Sequence, residues 1–200
     1  MISTRFAPAR LLKASLASAT ALTLIFCQAA SAEPMWLQQL AEQNIADFIP
    51  HRAPMILIDK IISHQPDALE TEVLITPQSA YFDEQRQAVP NYVGIEYMAQ
   101  SIAALAGVEA KLRHDKIRVG FLLGSRKLAL HTAQYELNRC YRTQVKRLYQ
   151  EESGLAVFDC QIYLLPEAGA QQTPLLVAEA NVNVFQPQDT QAYIASSQQA

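Results

Sequence analysis

An α+β architecture, with a curved antiparallel sheet wrapped around one long central helix, is the arrangement for which this 200-residue chain is patterned. Three observations point to it. From Pro90 to Gly107, apolar side chains recur at Ile95, Met98, Ala99, Ile102, Leu105 and Ala106, which is the spacing of a helix stripe. Two strand-like runs precede that helix and four follow it, with no internal repeat. Half of the residues are hydrophobic, enough for a substantial core. The net charge of −3 argues against a nucleic-acid partner.

The first 34 residues differ from the rest. Arg5, Arg10 and Lys13 precede an uncharged run from Ala14 to Ala32 that closes on Ala30-Ser31-Ala32, the three-part pattern of a secretory signal. Residues 1–34 are expected to be a signal-peptide-like segment or a mis-assigned upstream start, with translation beginning at Met35. A genuine signal predicts a periplasmic or secreted protein; a start at Met35 predicts a cytoplasmic one. The main domain is expected over 35–187 and a polar C-terminal tail over 188–200.

Along the domain, Met55 to Ile62 reads as a buried strand, and Glu70 to Ile75 alternates as a half-exposed one. The helix follows, with Pro90 and Asn91 as its start signal. Beyond it, Ile117–Leu130, Tyr141–Gln150, Leu155–Leu165 and Leu175–Phe185 read as strands. Glu152-Ser153-Gly154 and Pro166-Glu167-Ala168-Gly169 supply turns between them. A helix so poor in charge leaves surface that one protomer does not cover, so a dimer is the expected minimum.

One carboxylate, Glu96, stands alone in the uncharged helix; the next charge is Glu109. A buried, unpaired carboxylate costs on the order of 5 kcal/mol, so such a group is a candidate for chemistry. A first-turn carboxylate also complements the helix dipole, and that plainer role weighs about evenly against catalysis.

The words around Glu96 tip the balance. Pro50-His51-Arg52-Ala53-Pro54-Met55-Ile56-Leu57-Ile58-Asp59-Lys60 and, later, Pro90 followed by Glu96-Tyr97-Met98-Ala99-Gln100 resemble the two signatures of the 3-hydroxyacyl-ACP dehydratases, a hotdog-fold family. The likeness runs from about Phe48 to Phe185, and the VGIEYMAQ wording is similar to the divergent hotdog subunits of aryl-polyene biosynthesis. The resemblance implies a hotdog fold acting on acyl thioesters in fatty-acid or polyketide-type synthesis. The implied partners are an acyl carrier protein and a second hotdog subunit, as homodimer or hetero-oligomer. It implies no metal and no cofactor beyond the phosphopantetheine arm that carries the substrate.

One departure from the family matters. Its catalytic His sits in a loop before the helix, and here the loop from Ala80 to Val89 holds Phe82, Asp83 and Glu84 at and beside that position. Dehydration needs a base for the C2 proton and an acid for the C3 hydroxyl. Three readings fill the gap. Asp83 or Glu84 replaces the His, forming a carboxylate pair with Glu96. Alternatively, Glu96 serves thioester hydrolysis, as in hotdog thioesterases. In the third reading the chain is a non-catalytic partner of a His-bearing subunit. Glu96 and Asp83 are thus the candidate catalytic residues. The resemblance implies substrate binding by Asn91 and Tyr92 at the helix N-terminus, by Gln100, by Gly120 and Phe121 on the central strand, and by Arg126 and Lys127 at its basic exit.

The remaining reactive side chains carry less. His51 matches the family motif, where it reads as structural, packing the entry to the first strand. His64, His114 and His131 lack ligand spacing, and Cys140 and Cys160 read as small buried hydrophobes. Arg118, Arg126, Lys127, Arg139, Arg142, Lys146 and Arg147 form a basic group suited to an acidic carrier protein, or else a solvated strand face.

Overall fold

The structure, a computed structural model, describes residues 34–167 and 169–197. The signal-like segment lies outside them. A short helix α1 (Met35–Gln38) and two 3₁₀ turns (Leu40–Glu42 and Ile45–Asp47) lead into a hairpin of β1 (Lys60–Gln65) and β2 (Ala68–Leu74). Then come β3 (Ala88–Pro90), a 3₁₀ turn (Asn91–Val93) and the long helix α2 (Gly94–Leu112). Strands β4 (Phe121–Leu130), β5 (Gln134–Glu136), β6 (Cys140–Gln150), β7 (Leu155–Leu164) and β8 (Leu175–Phe185) follow, and helix α3 (Thr190–Ser197) closes the described chain.

Six strands form one antiparallel sheet in the order β1-β2-β6-β7-β8-β4, while β3 and β5 pair separately. The sheet curves around α2, which is the hotdog arrangement. Period-2 burial on β7 explains why the patterned strands take one face inward: Ala156, Phe158, Cys160 and Ile162 are buried while their neighbours are only half-covered. On α2, Tyr97, Met98, Leu105 and Val108 face the sheet. Tyr97, Tyr135 and Tyr141 pack edge to face, with centroids 5.4 and 4.9 Å apart. Burial pushes the Tyr97 and Tyr135 phenols well above their ordinary range, so both stay neutral.

The helix is anchored by polar groups as well. Ser101 Oγ donates to the Tyr97 carbonyl at 2.7 Å, which leaves the Thr71 hydroxyl as donor in its 2.7 Å bond to Ser101. On the outer sheet face, Arg142 and Lys60 bracket Glu72 at 2.6 and 3.2 Å. Burial pushes the Glu72 carboxyl up, but these two cations outweigh it and hold the group below its ordinary range.

Two strands begin later than expected. Met55–Asp59 is irregular because the Gln100 side chain, rather than a neighbouring strand, takes the backbone groups of Met55 and Leu57. Residues 117–120 likewise lie outside β4, and the Arg118 carbonyl accepts from the Gln186 side chain at 3.0 Å. The helix extends beyond Gly107 to Leu112. Within the segment marked as a polar tail, residues 190–197 form α3.

Candidate active site

Between α2 and the inner face of the sheet runs a groove of about 780 Å³. Its helix wall is Glu96, Ala99, Ile102, Ala103, Ala106, Glu109 and Leu112, and its sheet wall includes Phe121, Leu122, Ala156, Phe158 and Val184. Alanines at that spacing leave the helix surface low and smooth, which is the reason the stripe makes a channel instead of a ridge. Pro50 and His51 close the end nearest Glu96.

Gln100 organises that end. Fully buried, it accepts from Leu57 N–H at 2.9 Å and donates to the Met55 carbonyl at 2.8 Å and to Glu96 Oε1 at 3.0 Å. One side chain thereby ties the 51–57 segment to the first turns of α2. Arg52 shapes the same segment by donating to the Ile49 and His51 carbonyls at 2.9 and 2.7 Å. The result brings His51 Nε2 to 4.0 Å from Glu96 Oε1, across 45 residues of sequence. His51 Nδ1 is buried with no hydrogen-bond partner.

Glu96 is not the deeply buried group that the uncharged run suggested. Its side chain is 33% exposed and that of His51 31%, so both sit on the rim of the groove. Glu96 lies in the first turn of α2, where the positive end of the helix dipole favours negative charge. A carboxylate and an imidazole at this separation, with solvent access and an apolar channel beside them, can exchange a proton through one intervening group.

The other candidate residues are distributed unevenly. Gly120 and Phe121 line the groove. Gln100 acts behind Glu96 and holds it. Asn91 donates from Nδ2 to the Thr132 carbonyl at 2.8 Å, and Tyr92 is 64% exposed; neither lines the groove. Asp83 accepts from Gln85 N–H and Arg86 N–H at 2.9 and 3.0 Å, with Arg86 Nε 3.7 Å away. Its carboxylate thus serves its own turn and is not brought to Glu96 within the protomer.

Arg126 and Lys127 are exposed on the sheet's edge strand, away from the groove. The basic group is largely neutralised. Arg118 pairs with Asp115, Arg139 with Glu167, Arg142 with Glu70 and Glu72, and Arg147 with Asp67 and Glu109. Among the described residues, Arg126, Lys127 and Lys146 have no ion-pair partner.

The sequence reading took His51 as structural, and the structure sets it on the groove beside Glu96. The signal was available: the loop before the helix lacks a His, and His51 is the His of the other family motif.

Comparison with known proteins bears on the family and the fold. The family model ApeP-like: ApeP dehydratase matches residues 43–195. A 3-hydroxyacyl-[acyl-carrier-protein] dehydratase FabZ from Chlamydia muridarum (strain MoPn / Nigg) is 27% identical over 96 residues, 44% of this chain and 60% of that protein. The chain thus spans less than two thirds of that relative's length. Among solved structures, the dehydratase heterocomplex ApeI:P from Xenorhabdus doucetiae matches with a TM-score of 0.66 and 23% identity. That match covers 76% of this chain and 97% of the other, and it supports the fold.

Proposed function

This chain belongs to the ApeP-like dehydratase family, and from that premise we propose that it dehydrates 3-hydroxyacyl thioesters using Glu96 and His51 as its acid–base pair. The approach of His51 Nε2 to Glu96 Oε1 at the mouth of an apolar groove carries the reading. It supplies, within one protomer, the imidazole that the loop before α2 lacks.

In this mechanism the acyl chain lies along Ala99, Ala103 and Ala106, with its C2 and C3 atoms beside the pair. One member of the pair takes the C2 proton as the other gives a proton to the C3 hydroxyl, which leaves as water while the C2–C3 double bond forms. A proton then passes back between the two, restoring both groups. Gln100 keeps Glu96 at its post, and the phosphopantetheine arm of an acyl carrier protein delivers the substrate. A carrier-bound substrate goes with a cytoplasmic location.

A second reading, a subunit that completes a heteromeric dehydratase, is favoured by the edge strand. There Leu122, Leu123, Leu128 and Leu130 are exposed, beside a groove open along the helix. The heterocomplex assembly of the Xenorhabdus doucetiae relative points the same way.

The test is intact-mass analysis of a 3-hydroxyacyl-ACP incubated with the protein, alone and mixed with a His-bearing hotdog subunit. Loss of one water with the protein alone is expected. Glu96→Gln and His51→Ala should each slow it by about 10²–10⁴-fold, while Asp83→Asn leaves it nearly intact. Loss confined to Asp83→Asn would transfer the second role to the loop carboxylate. Dehydration only in the mixture, insensitive to His51→Ala, would establish the partner reading. Release of the whole acyl group would mean a thioesterase.

A further inference from the structure

The groove beside α2 is polar at both ends and apolar between them. At one end stand Glu96 and His51, both partly exposed. From there the helix wall shows no polar side chain until Glu109, which accepts from Arg147 at 2.9 and 2.8 Å. The stretch between is lined by Ala99, Ile102, Ala103 and Ala106 and faced by Phe158, with Ile102 and Phe158 buried. From Glu96 to Glu109 the helix rises about 20 Å.

Beyond the Glu109–Arg147 pair the groove has no back wall among the described residues. Helix α2 ends there, and its C-cap residue Arg113 is exposed. Gln186 gathers the segments that finish the groove: its N–H donates to the Gly154 carbonyl at 2.9 Å, and its side chain donates to the Arg118 carbonyl at 3.0 Å. The lining brought in with them includes Gln150, Glu151, Glu152 and Gln188, all exposed. A closed pocket ends on buried apolar side chains. Here Leu112, Phe121 and Val184 are only half-buried, and Leu122 is exposed.

We propose that the groove is a channel open at both ends, whose acyl chain enters past Glu96 and comes out into water beyond Glu109. The protein then sets no upper limit on chain length, and it accepts at the far mouth a polar end group that it rejects along the alanines. The inference deepens the reading of the groove as an acyl channel and rests on it. Along the alanines, each methylene taken out of water raises affinity about fourfold. A hydroxyl in the same stretch gives up its water and meets no polar side chain, which lowers affinity by about tenfold or more. Past Glu109 the chain end is among exposed polar groups, so a further methylene gains little and a hydroxyl costs little.

The experiment measures binding to the full wild-type chain of a graded series of saturated straight-chain acyl-pantetheines, which lack the 3-hydroxyl and are not turned over. A matched series carries a hydroxyl on the last carbon. Affinity of the plain series should climb about fourfold per methylene until the chain spans about 20 Å, then level off. The terminal hydroxyl should weaken mid-length chains by about tenfold or more and the longest chains by less than about twofold. Affinity that falls again at the longest chains, or a hydroxyl penalty equal at every length, would mean a closed end and overturn the proposal while leaving the acyl channel standing. Ala106→Phe places a ring in the stretch before Glu109 and should spare short chains while weakening long ones by about tenfold or more. Long-chain affinity unchanged in that variant would show that the chain does not follow this path and would overturn the proposal. Failure of the wild type to bind any chain length would remove the acyl-channel reading and this inference with it.

Discussion

Gln100 shows how one amide can connect a motif to a reactive group. Its oxygen is spent on Leu57 N–H and its nitrogen on Met55 and Glu96, so its role is to hold two segments in register. Replacing it with leucine keeps approximate volume and removes all three bonds. The orphaned Leu57 N–H alone should cost about 1–3 kcal/mol. Thermal unfolding would check that loss. If Gln100 also positions Glu96, turnover of Gln100→Leu should fall further than its folded fraction explains, with kcat reduced more than KM is raised. A fall in stability with unchanged kcat would make Gln100 purely structural.

Helix α2 serves as both core and channel because its two faces differ. One side carries large buried apolar residues such as Tyr97, Met98 and Leu105; the side along the groove carries Ala99, Ala103 and Ala106 between Glu96 and Glu109. Close approach elsewhere is made possible by glycine. A Cβ on Gly107 would meet the Phe48 backbone carbonyl, and one on Gly94 would meet the Tyr135 hydroxyl. Phe48 in turn contacts Trp36, at 5.8 Å, and carries the Lys111 ammonium 4.2 Å over its ring. Gly107→Ala should therefore push the N-terminal layer off the helix. A cost of about 1–3 kcal/mol is expected, because the obstructing atom is backbone and cannot swing away. A melting temperature equal to wild type would mean that the layer gives way freely.

The assembled sheet leaves one long edge, β4, with four leucines exposed along it. Its pairing with β8 is interrupted between Leu122 and Gly124 and between Arg126 and Ala129, and Lys127 takes a positive φ of 54°. Such bulges and charges interrupt an edge without removing its apolar surface. Association with another hotdog subunit through this edge would cover the leucines and roof the groove. Leu123→Glu, which puts a charge on the most exposed of the four, should weaken that association by at least about tenfold in sedimentation. Unchanged association would place the contact on another surface.

Periodicity was enough to read the helix and most of the sheet, because burial of one face imposes a repeat of 3.6 or 2 on the residues themselves. Glu96 was legible for a related reason: a single charge in an apolar stripe stands out. No spacing rule showed that Asp83 would be held by backbone N–H groups two and three residues away. Such local competition leaves no periodic trace. Nor could spacing reveal that the backbone groups of Met55 and Leu57 would bond to the Gln100 side chain instead of a strand, or that residues 190–197 would dock an aromatic ring. The Glu96–His51 approach belongs to the same class. It spans 45 residues and depends on the fold of α2 against the 51–57 segment, a relation carried by three-dimensional contacts alone.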